Sequence, residues 1–285
     1  MCSMITQISI LILLMVGSSN AQAGDPEASP SPAIIQTSDS TADQKRLFFD
    51  LKSNYQFSLH SADDPHKQTS LQSVMTTNYF TSPVFRIQGA VGGTQAYRPT
   101  LNFRSYNPEF RGFYIFNPDN DQLRYYVGPT LVLPFGSDGQ EQSLIFSAGA
   151  SGRVLLNLKR PDGVGFRGYY DLIFSKNFNH YDTDVFGESN KALSLYHVVY
   201  LEYVFSPRWN LNASFSFSSQ WNYGGNVSSN YILMQELDFQ ANDFITLFLS
   251  HLRGGDFLSP DGQTYSFGIF GADDSRISLG VDLSF

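Results

Sequence analysis

The chain has 285 residues and a formal net charge of -8; charged and aromatic residues each make up 15% of it, and its mean hydropathy is -0.19. The acidic balance argues against a nucleic-acid partner, which requires a basic face, and no stretch beyond residue 23 approaches the ~20 apolar residues of a membrane-spanning helix. Many aromatic residues without long apolar runs are typical of strands that are apolar on one face and polar on the other.

The first 23 residues have the composition of a secretory signal peptide. An apolar core runs from Ile8 to Val16, and the small residues Ala21 and Ala23 predict cleavage after Ala23. No Lys or Arg precedes the apolar core, which departs from the usual pattern. Cleavage removes Cys2, the only cysteine, so we expect neither disulfides nor thiol chemistry in the mature protein.

Two regions follow the signal peptide. Residues 24–45 are rich in Pro, Ser, Ala and Asp, which predicts a flexible mature N-terminus. From residue 46 to 285 apolar and polar residues alternate with period two, which favours strands over helices. The alternation is clearest in 47–60, 123–134, 143–158, 165–177, 192–205, 209–222 and 276–285, and more ambiguous in 70–80, 109–116 and 244–253.

Short turns and mostly longer connections alternate along this region. The short turns are 81–83, 117–120, 160–163, 206–208 and 241–243, and the other connections are 61–69, 95–108, 135–142, 179–191, 223–228 and 254–274. We therefore predict an all-β fold, a transmembrane antiparallel up-and-down barrel of about 12 strands, within a range of about 10–14, with both ends on the periplasmic side. A soluble β-sandwich also alternates, but its strands are typically about 5–6 residues long.

The last strand, RISLGVDLSF, places apolar residues at alternate positions, among them Val281, Leu283 and the terminal Phe285. This ending resembles the C-terminal assembly signal of bacterial outer-membrane β-barrel proteins. The resemblance implies a Gram-negative outer-membrane protein whose last strand is read by the barrel assembly machinery. Outer-membrane lipids and lipopolysaccharide are then its expected surroundings.

The polar faces of the strands are expected to line the lumen. They carry three arginines on successive strands and a set of acids with one lysine elsewhere on the wall: Arg124, Arg153 and Arg167, then Glu202, Glu236, Asp238, Asp282, Asp50 and Lys52. Two interpretations stay open. The charges could form a transverse field across a water-filled constriction, which orients small polar solutes, or they could form cross-lumen ion pairs that plug a narrow barrel.

Two stretches resemble outer-membrane phospholipase A, a serine hydrolase with a twelve-stranded barrel. Thr94-Gln95, followed by 103–109, is similar to one family segment, and Asn179-His180 is similar to the opening of the catalytic motif Asn-His-x-Ser-Asn-Gly. Asp182 stands where that motif has its nucleophilic serine. Because acyl transfer requires a serine activated by a histidine, we predict no catalytic residue here.

The remaining motifs predict neither a metal site nor a cofactor. Asp182 and Asp184 beside His180 fit either a cation-binding or a solvated acidic loop, and no phosphate loop or metal-ligand spacing is present in the sequence. The preferred hypothesis is a narrow porin-like channel or transporter for small polar solutes. A closed structural or adhesive barrel that binds partners through its outer loops and a phospholipase-like hydrolase are the alternatives.

Overall fold

The structure is a computed structural model that describes residues 47–60, 67–98, 100–160, 163–257 and 275–285. The predicted signal peptide, its cleavage after Ala23 and the flexible segment 24–45 lie outside the described residues and stay predictions. Within the described ranges, no helix has both the length and the apolar character needed to cross a membrane.

Strands make up almost all of the described chain, as the period-two pattern predicts. They are β1 (Leu47–Ser58), β2 (Thr69–Ser82), β3 (Phe85–Arg98), β4 (Asn102–Ser105), β5 (Glu109–Phe116), β6 (Leu123–Val132), β7 (Leu144–Lys159), β8 (Gly165–Asn179), β9 (Lys191–Ser206), β10 (Trp209–Asn222), β11 (Val227–Asn242), β12 (Ile245–Asp256) and β13 (Ser275–Ser284). One short helix, α1 (Ser137–Glu141), lies between β6 and β7.

The sheet is antiparallel and closes on itself. β1 pairs with β2 on one side and with β13 on the other, and the remaining wall strands pair with their neighbours in chain order. β4 and β5 both pair with β3, at its two ends, so they form one wall strand that is interrupted at 106–108. The barrel therefore has twelve wall strands, and the sheet closes through the β1–β13 pairing. This confirms the predicted fold class.

The connections also alternate as predicted. One end of the barrel, which we call the turn end, carries the short connections 83–84, 117–122, 160–164, 207–208 and 243–244; the opposite end, which we call the loop end, carries 59–68, 99–101, 133–143, 180–190, 223–226 and 257–274. The predicted connection 95–108 is wrong over most of its length, because β3 continues to Arg98 and β4 begins at Asn102. All three ambiguous segments are strands, namely β2, β5 and β12.

The barrel is apolar outside and polar inside. On β9 the outward Leu201 is 53% exposed whereas the inward Tyr200 is 1% exposed, and on β10 Leu211 is 51% exposed whereas Asn212 is fully buried. Aromatic pairs such as Phe166–Tyr203 stand at the turn end, with ring centroids 4.6 Å apart. An exposed apolar band with aromatic residues at its border is the surface that a lipid bilayer requires.

Two inward glycines allow neighbouring strands to approach closely. A Cβ on Gly128 would lie 1.9 Å from the carbonyl oxygen of Gly112, and one on Gly149 would lie 1.9 Å from that of Phe174. The backbone of the adjacent strand therefore occupies the space that a side chain would need. Such glycines bend a sheet sharply enough to close a small barrel.

We expect Gly149→Ala to destabilise the barrel by about 1–3 kcal/mol, because the added methyl group displaces a neighbouring strand. The matched control is Gly152→Ala on the same strand, whose Cβ would meet only the Tyr126 carbonyl at 3.9 Å, so its effect should stay within about 0.5 kcal/mol. Urea unfolding in detergent micelles, followed by the fluorescence of Trp209 and Trp221, measures both. Equal stability of the two variants would contradict this role for Gly149.

Candidate functional site

The inward side chains form two charged groups on different parts of the wall. We call the first the cationic cluster; it lies on β3 to β9 and comprises Arg86, Arg153, Asp171, Lys159, Arg167 and Glu202. We call the second the acidic cluster; it lies on β1, β11 and β13 and comprises Asp50, Lys52, Glu236, Asp238 and Asp282. The two clusters are described in turn.

Arg153 is buried in the lumen and bound by a carboxylate on the adjacent strand. Its Nε and Nη2 donate to the two carboxylate oxygens of Asp171, each at 2.5 Å. Its guanidinium carbon lies 4.2 Å from the centroid of the Tyr169 ring. This bidentate pair is a strong arrangement for an arginine. The charge of Arg153 is thus balanced along the wall, by a residue that the sequence analysis did not identify.

Glu202 receives two cations. Its Oε2 lies 2.5 Å from Nη2 of Arg167, and its Oε1 accepts a hydrogen bond from Nζ of Lys159 at 2.9 Å. Glu202 was predicted to face the arginines across the lumen, but it lies on β9 beside β8 and pairs directly opposite Arg167. Two cations on one carboxylate leave this part of the wall with an excess of positive formal charge.

Arg124 lies at the turn end of the barrel. Its Nη2 donates to Oδ1 of Asp121 at 2.6 Å, and its Nε donates to the carbonyl oxygen of Asn120 at 3.2 Å. Both partners belong to the turn that precedes β6. Arg124 is therefore bound by residues of this turn, whereas Arg153 and Arg167 are bound by acids on the adjacent strand.

The acidic cluster contains an ion pair between strands that are not neighbours. Nζ of Lys52 on β1 lies 2.8 and 2.9 Å from the two carboxylate oxygens of Glu236 on β11, so the pair spans β12 and β13. The same ammonium group lies 4.2 Å from the centroid of the Phe248 ring. The Lys52–Glu236 pair crosses part of the lumen, as one of the two interpretations of the sequence requires.

The other acids of this cluster have neutral or no hydrogen-bond partners. Oδ2 of Asp238 accepts from Nδ2 of Asn210 at 3.0 Å and from Nδ2 of Asn212 at 2.7 Å. Asp282 stands opposite Lys52 in the β1–β13 register, and its buried Oδ1 has no hydrogen-bond partner. With Asp50 two positions before Lys52, the cluster holds four carboxylates against one ammonium group and carries an excess of negative formal charge.

A cavity of about 40 Å³ lies beside the Lys52–Glu236 pair, between β1, β2 and β11 to β13. This volume accommodates a few water molecules. Its lining combines charges, amides, hydroxyls and a few apolar groups: Asp50, Lys52, Asn54, Gln56, Gln72, Val74, Thr76, Met234, Glu236, Phe248, Ser250, Leu252, Ser278 and Asp282. The cavity therefore offers both hydrogen-bond donors and hydrogen-bond acceptors to a polar occupant.

Aromatic side chains pack in the lumen among the charges of the cationic cluster. Tyr169 and Tyr200 are both buried and stack with ring centroids 4.9 Å apart at an interplanar angle of 18°. Phe113 and Tyr126 pack edge to face at 6.2 Å. These rings, together with the ion pairs, therefore occupy part of the lumen and are shielded from solvent.

The sequence analysis missed Arg86 and Asp171, although the signal for both was present. Arg86 alternates with the outward Ile87, and Asp171 follows Arg167 and the inward Tyr169 at every second position. The same parity that placed Arg153 in the lumen places both of these residues there. Arg86 is 1% exposed, and its Nε and Nη2 have no hydrogen-bond partner.

The residues that resemble phospholipase A lie at the loop end and make structural contacts. Nη2 of Arg104 contacts Asp138 at 3.1 Å and Glu141 at 2.7 Å, both on α1. The backbone N–H of His180 donates to the carbonyl oxygen of Ser143, and among the described residues no serine hydroxyl is hydrogen-bonded to the His180 ring. These contacts join β4, α1 and β8 into one rim.

The acidic loop after β8 is ordered by its own backbone. Oδ1 of Asp184 accepts hydrogen bonds from the N–H groups of Phe186 and Glu188 at 2.8 and 2.9 Å. Across the described ranges, no three metal-ligating side chains converge on one point. Asp184 therefore stabilises the turn at 184–188.

No family model matches the chain, and no curated protein matches it. Among solved structures, it is similar to an outer membrane channel from Pseudomonas putida F1, with a TM-score of 0.54, 10% identity, and coverage of 88% of this chain and 100% of the other. It is also similar to the NanC porin, with a TM-score of 0.53, 10% identity, and coverage of 83% and 98%. These similarities show a shared outer-membrane β-barrel fold.

The buried Arg153–Asp171 pair predicts a large effect for Asp171→Asn. This change leaves a buried guanidinium without its counter-charge, which should lower the free energy of unfolding by about 3–5 kcal/mol. The matched control is Asp121→Asn, which breaks the exposed pair with Arg124 and should cost about 1 kcal/mol or less. Urea unfolding in detergent micelles measures the free energy of unfolding of both variants. Similar decreases would show that the Arg153–Asp171 pair contributes no more to stability than the exposed Arg124–Asp121 pair.

Proposed function

We propose that the protein is an integral outer-membrane β-barrel that acts as a narrow porin-like channel for small polar solutes. The observation that carries the proposal is a lumen lined by charged, amide and hydroxyl side chains inside a closed wall whose outer face is apolar. A wall of this kind separates lipid from a polar path. The fold that this chain shares with outer-membrane channels supports the same reading.

The charges of the lumen supply the selectivity of the proposed channel. The excess positive charge around Glu202 and the excess negative charge around Asp238 lie on different parts of the wall, with Tyr169 and Tyr200 packed in the lumen. Opposed charges across a low-dielectric bore create a field that orients a dipolar solute as it passes. Arg167, Lys159, Asp50 and Asp282 are the residues that we assign to this field.

The assembly of the barrel is part of the same proposal. We infer that the signal peptide is cleaved after Ala23 and that the barrel assembly machinery reads Val281, Leu283 and Phe285. In support, the backbone of Phe285 exchanges two hydrogen bonds with that of Phe49, at 2.8 and 3.2 Å, so this strand completes the wall. The outward side chains would then contact outer-membrane lipids and lipopolysaccharide.

A closed structural or adhesive barrel is the second candidate, and the narrowness of the lumen favours it. The inward Tyr200, Asn212 and Glu236 are each at most 2% exposed, and the cavity of about 40 Å³ beside the Lys52–Glu236 pair accommodates only a few water molecules. Passage of a solute then requires inward side chains to move. Conductance separates this candidate from the channel.

We expect the purified protein to give a small, steady conductance in planar bilayers. Lys159→Gln removes one of two cations around Glu202, so the reversal potential in a salt gradient should shift toward cation selectivity. Arg208→Gln, in an exposed turn, is the matched control and should leave the reversal potential unchanged. A complete absence of conductance in the wild-type protein would reject the channel and support the closed barrel.

We also expect no hydrolysis of phospholipid vesicles by the purified protein in the presence of calcium. The reason is that Asp182 replaces the nucleophilic serine of the motif that Asn179 and His180 resemble. Release of fatty acid measures the reaction. Activity that disappears in His180→Ala would establish the hydrolase instead.

A further inference from the structure

Arg86 differs from Arg111, Arg153 and Arg167 in forming no ion pair with a described carboxylate. It projects inward from β3, opposite Phe113 in the β3–β5 register, and it is 1% exposed. Its Nε and Nη2 have no hydrogen-bond partner, and no described carboxylate forms an ion pair with it. By contrast, Arg153 is bound by Asp171, and Arg111 pairs with Glu109.

Aromatic rings surround the Arg86 guanidinium, and the Arg153–Asp171 ion pair lies close to it. Its guanidinium carbon lies 4.7 Å from the ring centroid of Phe113 and 5.8 Å from those of Phe80 and Tyr126. Arg153 lies 5.7 Å from the same Phe113 centroid. Aromatic faces attract a cation, but they are much weaker hydrogen-bond acceptors for its N–H groups than a carboxylate is. The rings therefore compensate for part of the charge and leave two donors unsatisfied.

A buried guanidinium with unsatisfied donors is unfavourable, since charges in a protein interior require a counter-charge or acceptors. Nε and Nη2 form one edge of the guanidinium group, and the same edge of Arg153 holds the Asp171 carboxylate. A planar oxyanion matches this edge through two parallel hydrogen bonds. The chemistry of Arg86 thus fits a small anionic group, with a carboxylate as the best match.

We propose that Arg86 is the binding site for the anionic group of a permeating solute, and that the channel takes small anions, carboxylates among them. This inference rests on the proposed channel and specifies its solute class. Because both nitrogens are enclosed, the anion reaches them when the Arg86 side chain leaves the cage formed by Phe80, Phe113 and Tyr126. Arg86 is then a specificity-determining side chain with a caged and an anion-bound position.

The test measures anion binding without requiring conduction. The urea unfolding midpoint of the micelle-bound barrel is followed while sodium acetate or sodium chloride replaces the sodium salt of a large sulfonate buffer at constant ionic strength. A ligand that binds only the folded state raises the midpoint. We expect acetate to raise it for the wild-type protein, and a response to chloride as well would show that inorganic anions share the site.

Three variants identify the residue responsible. Arg86→Met removes an uncompensated charge, so its midpoint without acetate should equal or exceed that of the wild type, and acetate should not raise it. Arg86→Lys keeps the charge but lacks the planar edge, and we expect a reduced rise. Arg124→Met is the matched control, because Arg124 already has Asp121, and it should keep the full rise.

Two results would overturn the proposal. The first is a wild-type midpoint that responds to neither anion, and the second is an Arg86→Met or Arg86→Lys variant that responds as fully as the wild type. If Arg86→Met does not fold, the proposal is still tested by comparing how far acetate raises the urea midpoint of the wild-type protein and of Arg86→Lys. A conducting barrel without an anion response would reject the Arg86 site alone, whereas an anion response without conductance would reject the channel and leave the site.

Discussion

The closure of the sheet through β1 and β13 is the constraint on which the rest of this structure depends. Their paired residues run from Asp50 with Ser284 to Ser58 with Arg276, and they give every wall strand two neighbours. A closed wall satisfies the backbone hydrogen bonds within the sheet, so its outer face is free to be apolar. Most polar side chains of the strands are then directed to one interior, although some, such as Ser53, Ser73 and His197, lie on the outer face.

That narrow interior explains how the charges are arranged. Twelve strands enclose little space, so ionised side chains cannot remain apart in bulk water. Arg153 and Arg167 are bound by acids on the next strand, and Lys52 reaches across two strands to Glu236. The cations and the acids are therefore neutralised mainly along the wall. Among the described residues Arg86 has no ion pair, and the carboxylates of the acidic cluster outnumber the one ammonium group of that cluster.

The sequence was sufficient for the barrel itself because alternation is a local property. In 209–222 apolar and polar residues alternate, and in β10 the apolar side chains lie on the outer face and most of the polar ones on the inner face. The interrupted wall strand of β4 and β5 was not foreseen, because the sequence pattern predicts a single connection over 95–108. The local alternation therefore predicts the strands of the barrel wall, but it does not predict the interrupted strand formed by β4 and β5.

The candidate site was less accessible from the sequence, because its contacts depend on register. Parity places Arg124, Arg153 and Arg167 on the inward face, but it does not give the height of each residue in the barrel. Arg124 donates a hydrogen bond to Asp121 of the preceding turn. Glu202 lies on the strand next to Arg167 and not on the opposite side of the lumen. The partner Asp171 becomes evident only when β7 and β8 are aligned residue by residue.

The Lys52–Glu236 pair has a geometric consequence for the bore. It acts as a chord that joins two wall positions and encloses the inward faces of β12 and β13 behind it, with Phe248 packed over Gly280 on that side. The pair therefore forms one boundary of the cavity that Ser250 and Ser278 also line. Because this boundary consists of two side chains, it can open without the loss of a backbone hydrogen bond in the wall.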